Sequence, residues 1–298
     1  MFKMKKSLFA FMMLVALSLV LAACGGGGGD AASGSIGEAT DYKIVGIEPG
    51  AGVMKAAQNA IDEYGLDNWT LVESSSAAMG AELTKAYENK EPIIVTGWTP
   101  HWKFAKFDLK YLEDPKGVFG EEETIHTLVR KGLQDDQPSA YTVLDQFEWT
   151  SDDMAEVMVA VEEGANPEEA AAKWIEENSD KVEPWKEGAG KVDGEKISLA
   201  YVAWDSEIAS TNVVAKVLES IGYEVETVQL DAAPMFAAVA QGDVDGMVAA
   251  WLPFTHADNY EEYGDQVEDL GENLKGAKIG LVVPTYVDID SIEDLKSK

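Results

Sequence analysis

Val95-Thr96-Gly97-Trp98-Thr99-Pro100-His101 and Ala249-Ala250-Trp251-Leu252-Pro253-Phe254-Thr255-His256 decide the fold of this chain. Each stretch brings an apolar strand to a tryptophan, with a proline and a histidine following soon after. The offset between Trp98 and Trp251 equals the offset between Lys43 and Lys196, which open the first strand of two similar segments. The sequence therefore predicts two copies of one α/β unit, with a ligand held between two lobes.

Both copies repeat the same order of elements. A strand at 43–48 leads through a glycine turn to a helix at about 53–64, and a strand at 196–203 leads to a helix that begins near Glu207 and stops at Gly222. A second strand and a second helix then lead to the strand that bears the tryptophan. This alternation predicts a mostly parallel sheet in each lobe, flanked by helices.

Two further segments stand at the same offset, Ile125-His126-Thr127-Leu128-Val129 and the apolar run from Lys278 to Pro284. We interpret both as strands that cross between the lobes. The region between the copies is predicted to be helical, with a capping box formed by Thr150 and Asp153 and a helix start at Asn166-Pro167. Three tryptophans in that region have apolar neighbours and are predicted to be core: Trp149, Trp174 and Trp185.

The N-terminus has the pattern of an export signal. Three lysines precede an apolar run at 8–20, and Leu21-Ala22-Ala23-Cys24 then places small residues before the only cysteine of the chain. The run is too short for a convincing membrane span. Leu-Ala-Ala-Cys resembles the lipobox of bacterial lipoproteins, which predicts a signal peptide at 1–23, lipidation of Cys24 and a flexible tether at 24–40. A cleaved secreted protein with an incidental cysteine is the alternative.

Composition limits the classes of function. The chain has 54 acidic and 23 basic residues and a formal net charge of −31, which argues against nucleic acid or an anionic membrane face as a partner. The sequence lacks the common hydrolase, metalloprotease and nucleotide-binding motifs, so we expect no enzyme, no cofactor and no metal. Ser206 with His256 is the one pair that could serve a hydrolase.

The features that suggest binding are aromatic. Trp98 and Trp251 follow apolar strands, and Trp204 lies at the end of the first strand of the second copy. Ligands of open α/β sheets bind beyond such strand ends. Aromatic faces there suit a quaternary ammonium, because its methylated charge cannot donate hydrogen bonds and is held by the negative faces of rings.

A complementary anion site is suggested by the glycine turn. Gly50-Ala51-Gly52-Val53 precedes a helix whose first N–H groups could point at an anion, although a tight turn that needs glycine explains the motif equally well. His256 could donate to the same anion. Tryptophans for a cation together with donors for an anion predict a zwitterionic ligand such as a betaine.

Five stretches together resemble the glycine betaine-binding lipoproteins of osmoprotectant ABC importers, from about Lys43 to the C-terminus: 46–52, 96–102, 109–115, 203–210 and 250–253. The resemblance implies a prism of Trp98, Trp204 and Trp251 around the trimethylammonium. It also implies that the backbone amides of Gly52 and Val53, with His256, hold the carboxylate. Phe254 beside Thr255 departs from the family pattern.

The resemblance further implies a two-lobed, type II periplasmic-binding-protein-like fold with permuted halves. Lobe I is expected at 41–125 plus 284–298, and lobe II at 126–283. We expect a monomer, lipid-anchored on the outer face of the cell membrane, that captures glycine betaine and proline betaine and delivers them to an ABC permease. A binding protein for another quaternary amine, choline or carnitine, is the alternative.

Overall fold

The computed structural model describes residues 35–296. The expected signal peptide and Cys24 lie outside the described residues, as does most of the expected tether. Of the expected tether, residues 35–40 are described, and Ile36–Ala39 form a one-turn helix, α1. Within residues 35–296, no helix combines the length and the apolar character that a bilayer crossing needs.

The strands and helices alternate as an α/β fold. The strands are β1 Lys43–Val45, β2 Thr70–Val72, β3 Val95–Thr99, β4 Leu109–Tyr111, β5 Glu123–Arg130, β6 Lys196–Tyr201, β7 Glu224–Gln229, β8 Gly246–Leu252 and β9 Val267–Pro284. After α1, the helices are α2 Gly52–Tyr64, α3 Ser76–Asn89, α4 Trp102–Lys106, α5 Leu133–Asp136, α6 Pro138–Gln146, α7 Ser151–Glu162, α8 Pro167–Glu177, α9 Ser179–Val182, α10 Asp205–Ser220, α11 Ala232–Gln241 and α12 Ala257–Tyr263. Short 3₁₀ helices lie at Glu183–Lys186, Gly264–Gln266 and Ile292–Lys296.

The duplication predicted from the sequence is present in the strand pairing. β1 pairs in parallel with β2 and β3, and β3 pairs antiparallel with β9. In the second copy, β6 pairs in parallel with β7 and β8, and β8 pairs antiparallel with β5. The two copies therefore repeat one pattern, a parallel three-stranded core extended by an antiparallel strand.

β9 is the strand that joins the two copies. Its residues 267–277 pair with β5, whereas residues 278–284 pair with β3 and β4. We call β1 to β4 with residues 278–284 the first half of the sheet, and β5 to β8 with residues 267–277 the second half. This division favours a return crossing near residue 277, whereas the sequence interpretation put the lobe boundary at 283/284.

The C-terminal segment packs on the first half of the sheet. The indole N–H of Trp69 donates to the carbonyl of Leu295 at 3.0 Å, and the amide of Ile292 donates to the carbonyl of Glu113 at 3.0 Å. Ile292 and Leu295 are buried. The last described residues thus lie beside the first half of the sheet.

Local signals read from the sequence hold in the helical region between the copies. Thr150 and Asp153 form the expected capping box at the start of α7. The side chain of Asn166 caps α8, with Pro167 at its first position. Trp149, Trp174 and Trp185 are buried, with ring centroids 5.7 Å apart for the first two and 6.1 Å for the last two. The prediction that these three tryptophans belong to the core is confirmed.

Candidate ligand site between the two halves of the sheet

Three tryptophans surround one apolar cavity. Trp98 comes from β3, Trp251 from β8, and Trp204 is the residue immediately before α10. Each side chain is more than nine-tenths buried. The remaining lining residues are mostly apolar or glycine: Ile47, Ala51, Gly52, Val53, Thr255 and Ile279. The structure therefore brings together all three predicted tryptophans and the predicted glycine turn.

The glycine turn presents the start of α2 to this cavity. Ala51 is in an extended conformation before the helix, and Gly52 and Val53 are its first two residues. The first N–H groups of a helix have no acceptor within it, so those of Gly52 and Val53 are available to an anion. The turn itself needs glycine only at Gly50, where φ is +91°.

Gly52 is required for a different reason. A Cβ at this position would lie 2.2 Å from the carbonyl oxygen of Thr255, in the loop after β8. That loop is held by the buried carboxylate of Glu123, which accepts the amides of Phe254 at 3.1 Å and Thr255 at 2.9 Å. Glycine therefore permits the close approach of the two halves beside the cavity, a role that sequence analysis did not distinguish.

His256 packs against the cavity wall. Its ring stacks on Trp204 with centroids 6.2 Å apart, and Nδ1 accepts the backbone N–H of Trp251 at 3.0 Å. Burial lowers the pKa of His256 to about 4, so the imidazole is neutral at pH 7. Because Nδ1 accepts, the proton of the neutral ring is on Nε2. That atom is buried and has no hydrogen-bond partner among residues 35–296.

The indole N–H groups of the three tryptophans differ in their hydrogen-bond partners. Trp251 Nε1 donates to Oε1 of Glu207 at 2.9 Å, and Trp204 Nε1 donates to Oε2 of Glu48 at 3.1 Å. Trp98 Nε1 has no partner within the described part of the chain. Instead, the Nζ of the buried Lys103 lies 4.2 Å from the centroid of a Trp98 ring. Burial lowers the pKa of this lysine to about 7.

Asp205, the first residue of α10, connects the second half to the first. Its carboxylate accepts Ser76 Oγ at 2.7 Å and Trp102 Nε1 at 3.1 Å, and it faces His101 Nε2 at 3.4 Å. The neighbouring imidazole of His101 and the hydrogen bonds from Ser76 and Trp102 outweigh the effect of burial and hold the pKa of Asp205 well below its usual range. Burial lowers the pKa of His101 to about 4, so a neutral imidazole faces an ionised carboxylate.

Sequence analysis missed Glu48, Glu207, Lys103 and Asp205 as parts of this site. Each lies beside a residue that was singled out, but a chain with 54 acidic residues gives no signal for a particular carboxylate. The serine considered for a hydrolase, Ser206, is buried, and its Oγ makes no hydrogen bond to any described residue, His256 included. The pair therefore lacks the contact that a nucleophile and its base require.

Comparison with known proteins gives a family match. The sequence model of one protein family, the substrate-binding domain of ABC-type glycine betaine transport systems, matches residues 29–177 and 195–298. The glycine betaine/carnitine transport binding protein GbuC of Listeria monocytogenes is 56% identical over 298 residues, which cover 99% of each chain.

Solved structures match over shorter lengths. Lactococcal OpuAC, closed around glycine betaine, is 49% identical over 51% of this chain, with a TM-score of 0.47. An ABC-transporter choline-binding protein in complex with choline is 28% identical over 62% of this chain, also with a TM-score of 0.47. Each match spans 61% of the solved chain.

Proposed function

The chain belongs to the family of substrate-binding domains of ABC-type glycine betaine transport systems, and from this premise we propose that it captures glycine betaine and proline betaine for import. The observation that carries the proposal is the cavity walled by Trp98, Trp204 and Trp251. Three buried indoles offer ring faces to a cation and almost no hydrogen-bonding groups, which suits a trimethylammonium and disfavours a primary ammonium.

The carboxylate of the ligand has its own partners in this proposal. The N–H groups of Gly52 and Val53 and the Nε2–H of His256 are donors without a partner within the helix or the described chain. A neutral His256 donates one hydrogen bond without adding a charge that would oppose the ammonium. The zwitterion is thus matched at both ends, with its cation on aromatic faces and its anion on N–H donors.

We further propose that the two halves of the sheet are the two lobes and that they close on the ligand. Contacts between them surround the cavity and include the Asp205 hydrogen bonds, the Trp204–Glu48 hydrogen bond and an ion pair between Lys55 and Asp258 at 2.9 Å. Opening the lobes would break these contacts and expose the cavity to solvent. Ligand entry and release would therefore require this opening.

Delivery completes the proposed role. A substrate-binding component of an importer works outside the cytoplasmic membrane, where it passes its ligand to the permease. We propose that acylation of Cys24 tethers it there, because two acyl chains anchor a protein stably. Cys24→Ser should release the protein from membranes without changing its affinity for ligand, and membrane retention of this variant would contradict the anchor.

Carnitine is a second candidate ligand, since the Listeria relative is described as binding glycine betaine and carnitine. Carnitine retains both a trimethylammonium and a carboxylate, so it can use both ends of the site. Choline retains only the cation and leaves the donors of Gly52, Val53 and His256 without an anion. Each lost charge-assisted hydrogen bond costs about 1.5–3 kcal/mol, so we expect choline to bind more than about a hundredfold more weakly.

Isothermal titration of the purified protein with glycine betaine, proline betaine, carnitine and choline tests this proposal. Tight 1:1 binding of glycine betaine, with choline at least about a hundredfold weaker, is the expected result. Equal affinities for glycine betaine and choline would refute the assigned anion site. Absence of glycine betaine binding would refute the function.

A further inference from the structure

A buried carboxylate stands directly behind one wall of the cavity. Glu207, on the first turn of α10, is 1% exposed, and its Oε1 accepts the indole N–H of Trp251 at 2.9 Å. Its other oxygen, Oε2, is buried and makes no hydrogen bond within residues 35–296. Burial of a carboxyl with one oxygen unpartnered is costly for folding. Glu207 lies against the cage, by which we mean Trp98, Trp204 and Trp251 around the cavity. This position suggests that the costly carboxyl is retained because it serves ligand binding.

We propose that Glu207 is a specificity determinant and that its carboxyl, when ionised, makes the cavity select a positively charged ammonium over a neutral group of the same shape. The inference rests on the proposed function and deepens it. Glu207 acts through Trp251 and through space, so it is a positioning residue and need not touch the ligand.

Two physical effects support this role. An indole that donates its N–H to an anion gains electron density, which strengthens the negative face that a cation contacts. The carboxylate also attracts the cation directly, and this attraction is weakly screened in a buried site. A neutral tert-butyl group fills the same space but gains nothing from either effect. A comparison of two ligands that differ only in this group therefore distinguishes selectivity for charge from simple burial of methyl groups.

The three walls of the cage differ in this respect. Trp204 also donates to a carboxylate, but Glu48 is only half-buried, and its Oε1 accepts the amide of Ser76 at 3.3 Å. Trp98 has no carboxylate partner among the described residues and instead has Lys103 against its ring. Glu207 is therefore the fully buried carboxyl of the cage, and once it is ionised the effect of its charge is the least reduced by solvent.

The charge state of Glu207 can be set by pH. Burial raises the pKa of Glu207 to about 8, so its carboxyl is ionised at pH 9. The other titratable groups around the cage are Glu48, His101, Lys103, Glu123, Asp205 and His256. At pH 9 both histidines are neutral, Asp205 is ionised and Lys103, with a pKa of about 7, has lost its proton. The charge of Glu207 is then unopposed by the buried lysine.

The test compares glycine betaine with 3,3-dimethylbutanoate, in which a carbon atom replaces the quaternary nitrogen, by calorimetric titration at pH 9. For the parent protein we expect glycine betaine to bind more tightly than its uncharged-headgroup analogue. Glu207→Gln keeps an oxygen that accepts the Trp251 N–H but removes the charge. It should lower the affinity ratio about tenfold or more, through weaker binding of glycine betaine.

Glu219→Gln is the matched control, because it removes one exposed carboxylate from the same helix, α10. It should leave the ratio unchanged. If Glu207→Gln leaves the ratio unchanged while the parent binds glycine betaine, this inference is wrong and the proposed function stands. If the parent does not bind glycine betaine, the proposed function itself fails.

A second measurement needs no variant at Glu207. Between about pH 6.5 and pH 9, ionisation of Glu207 should raise the affinity of the parent for glycine betaine relative to 3,3-dimethylbutanoate. Because loss of the Lys103 proton acts in the same direction, the measurement is repeated with Lys103→Met. A rise that persists in this variant supports the inference, and a rise that disappears assigns the effect to Lys103 and overturns it.

Discussion

At the scale of single residues, substitutions in the cage can separate two contributions to ligand affinity, cation–π attraction and burial of apolar surface. Trp98 and Trp251 occupy corresponding positions in the two copies and enclose the same cavity. Leucine at either position would keep apolar bulk but lack the ring quadrupole that attracts a cation. Phenylalanine would keep a smaller ring with a weaker quadrupole.

We expect Trp98→Leu and Trp251→Leu each to weaken glycine betaine binding by about 2 kcal/mol or more, roughly thirtyfold, and the two Trp→Phe variants to lose less. Trp149→Leu is the control, because its ring packs in the core against Phe147 and Trp174. This variant should lower the melting temperature while the folded protein keeps its affinity. The reverse pattern, measured by titration calorimetry and thermal melts, would show that the cage is wrongly assigned.

Lys103 gives a residue-scale prediction about stability. It is fully buried, its Nζ makes no hydrogen bond within residues 35–296, and burial lowers its pKa from 10.5 to about 7. Between these values the unfolded chain binds a proton that the folded chain does not, so stability rises with pH through this window. Below about pH 7 the folded protein carries the full cost of a buried ammonium.

Lys103→Met should therefore stabilise the protein at pH 7, by about 2 kcal/mol or roughly 4 °C in melting temperature. The gain should shrink as pH rises from 7 towards 10, because the lysine of the parent is then neutral in the folded state. Thermal melts at a series of pH values measure both effects. A variant that melts lower than the parent at pH 7, or a gain independent of pH, would contradict this account of Lys103.

The residues that could be predicted from the sequence are those with a distinctive chemical type at a distinctive place. Trp98, Trp204 and Trp251 end strands in two similar segments, and Gly52 sits in a turn before a helix. Carboxylates offer no such signal here, so Glu207 and Asp205 needed the structure. A lysine among aromatic residues, as at Lys103, is normally expected to reach solvent with its ammonium. Its burial could not be foreseen.

At the scale of elements, the sequence predicted the longer helices, α2, α3, α7, α8, α10 and α11, and strand pairing required the structure. The starts of α7 and α8 were readable because Thr150, Asp153 and Asn166 bond to nearby backbone. The first part of β9 was missed, since Val267 to Ala277 contains two glycines and several charged residues and pairs irregularly with β5. Alternation of apolar residues, the usual signal of a strand, is lost where the register shifts.

The start of α10 is the element that we expect to hold the two halves together. Asp205→Asn removes the charge that accepts from Ser76 and Trp102 and faces His101. Hydrogen bonds to a charged group contribute about 1.5–3 kcal/mol. We therefore expect glycine betaine affinity to fall about tenfold or more, mainly through faster dissociation measured by stopped-flow fluorescence.

Asp258→Asn is the matched control for this contact. It removes another ion pair between the halves, with Lys55, but both of its side chains are more than half exposed. Exposed ion pairs contribute about 0–1 kcal/mol, so this variant should change dissociation little. Equal effects of the two substitutions would show that Asp205 has no special role in closure.

At the scale of the whole molecule, the formal net charge of −31 should matter little for capture of a betaine. A zwitterion carries no net charge, so the long-range field of the protein exerts almost no net pull on it, and salt has little attraction to screen. Titrations at low and physiological ionic strength should give similar affinities. A tenfold loss of affinity on adding salt would show that surface acids attract the cation.

The central claim is that one glycine betaine molecule is held between the two halves of the sheet, and the crystal structure of the complex tests it most directly. The account predicts the quaternary nitrogen within about 6 Å of the ring centroids of Trp98, Trp204 and Trp251. It also predicts the carboxylate on the N–H groups of Gly52 and Val53 and on Nε2 of His256. Glycine betaine bound elsewhere, or with its carboxylate turned away from the start of α2, would contradict the account.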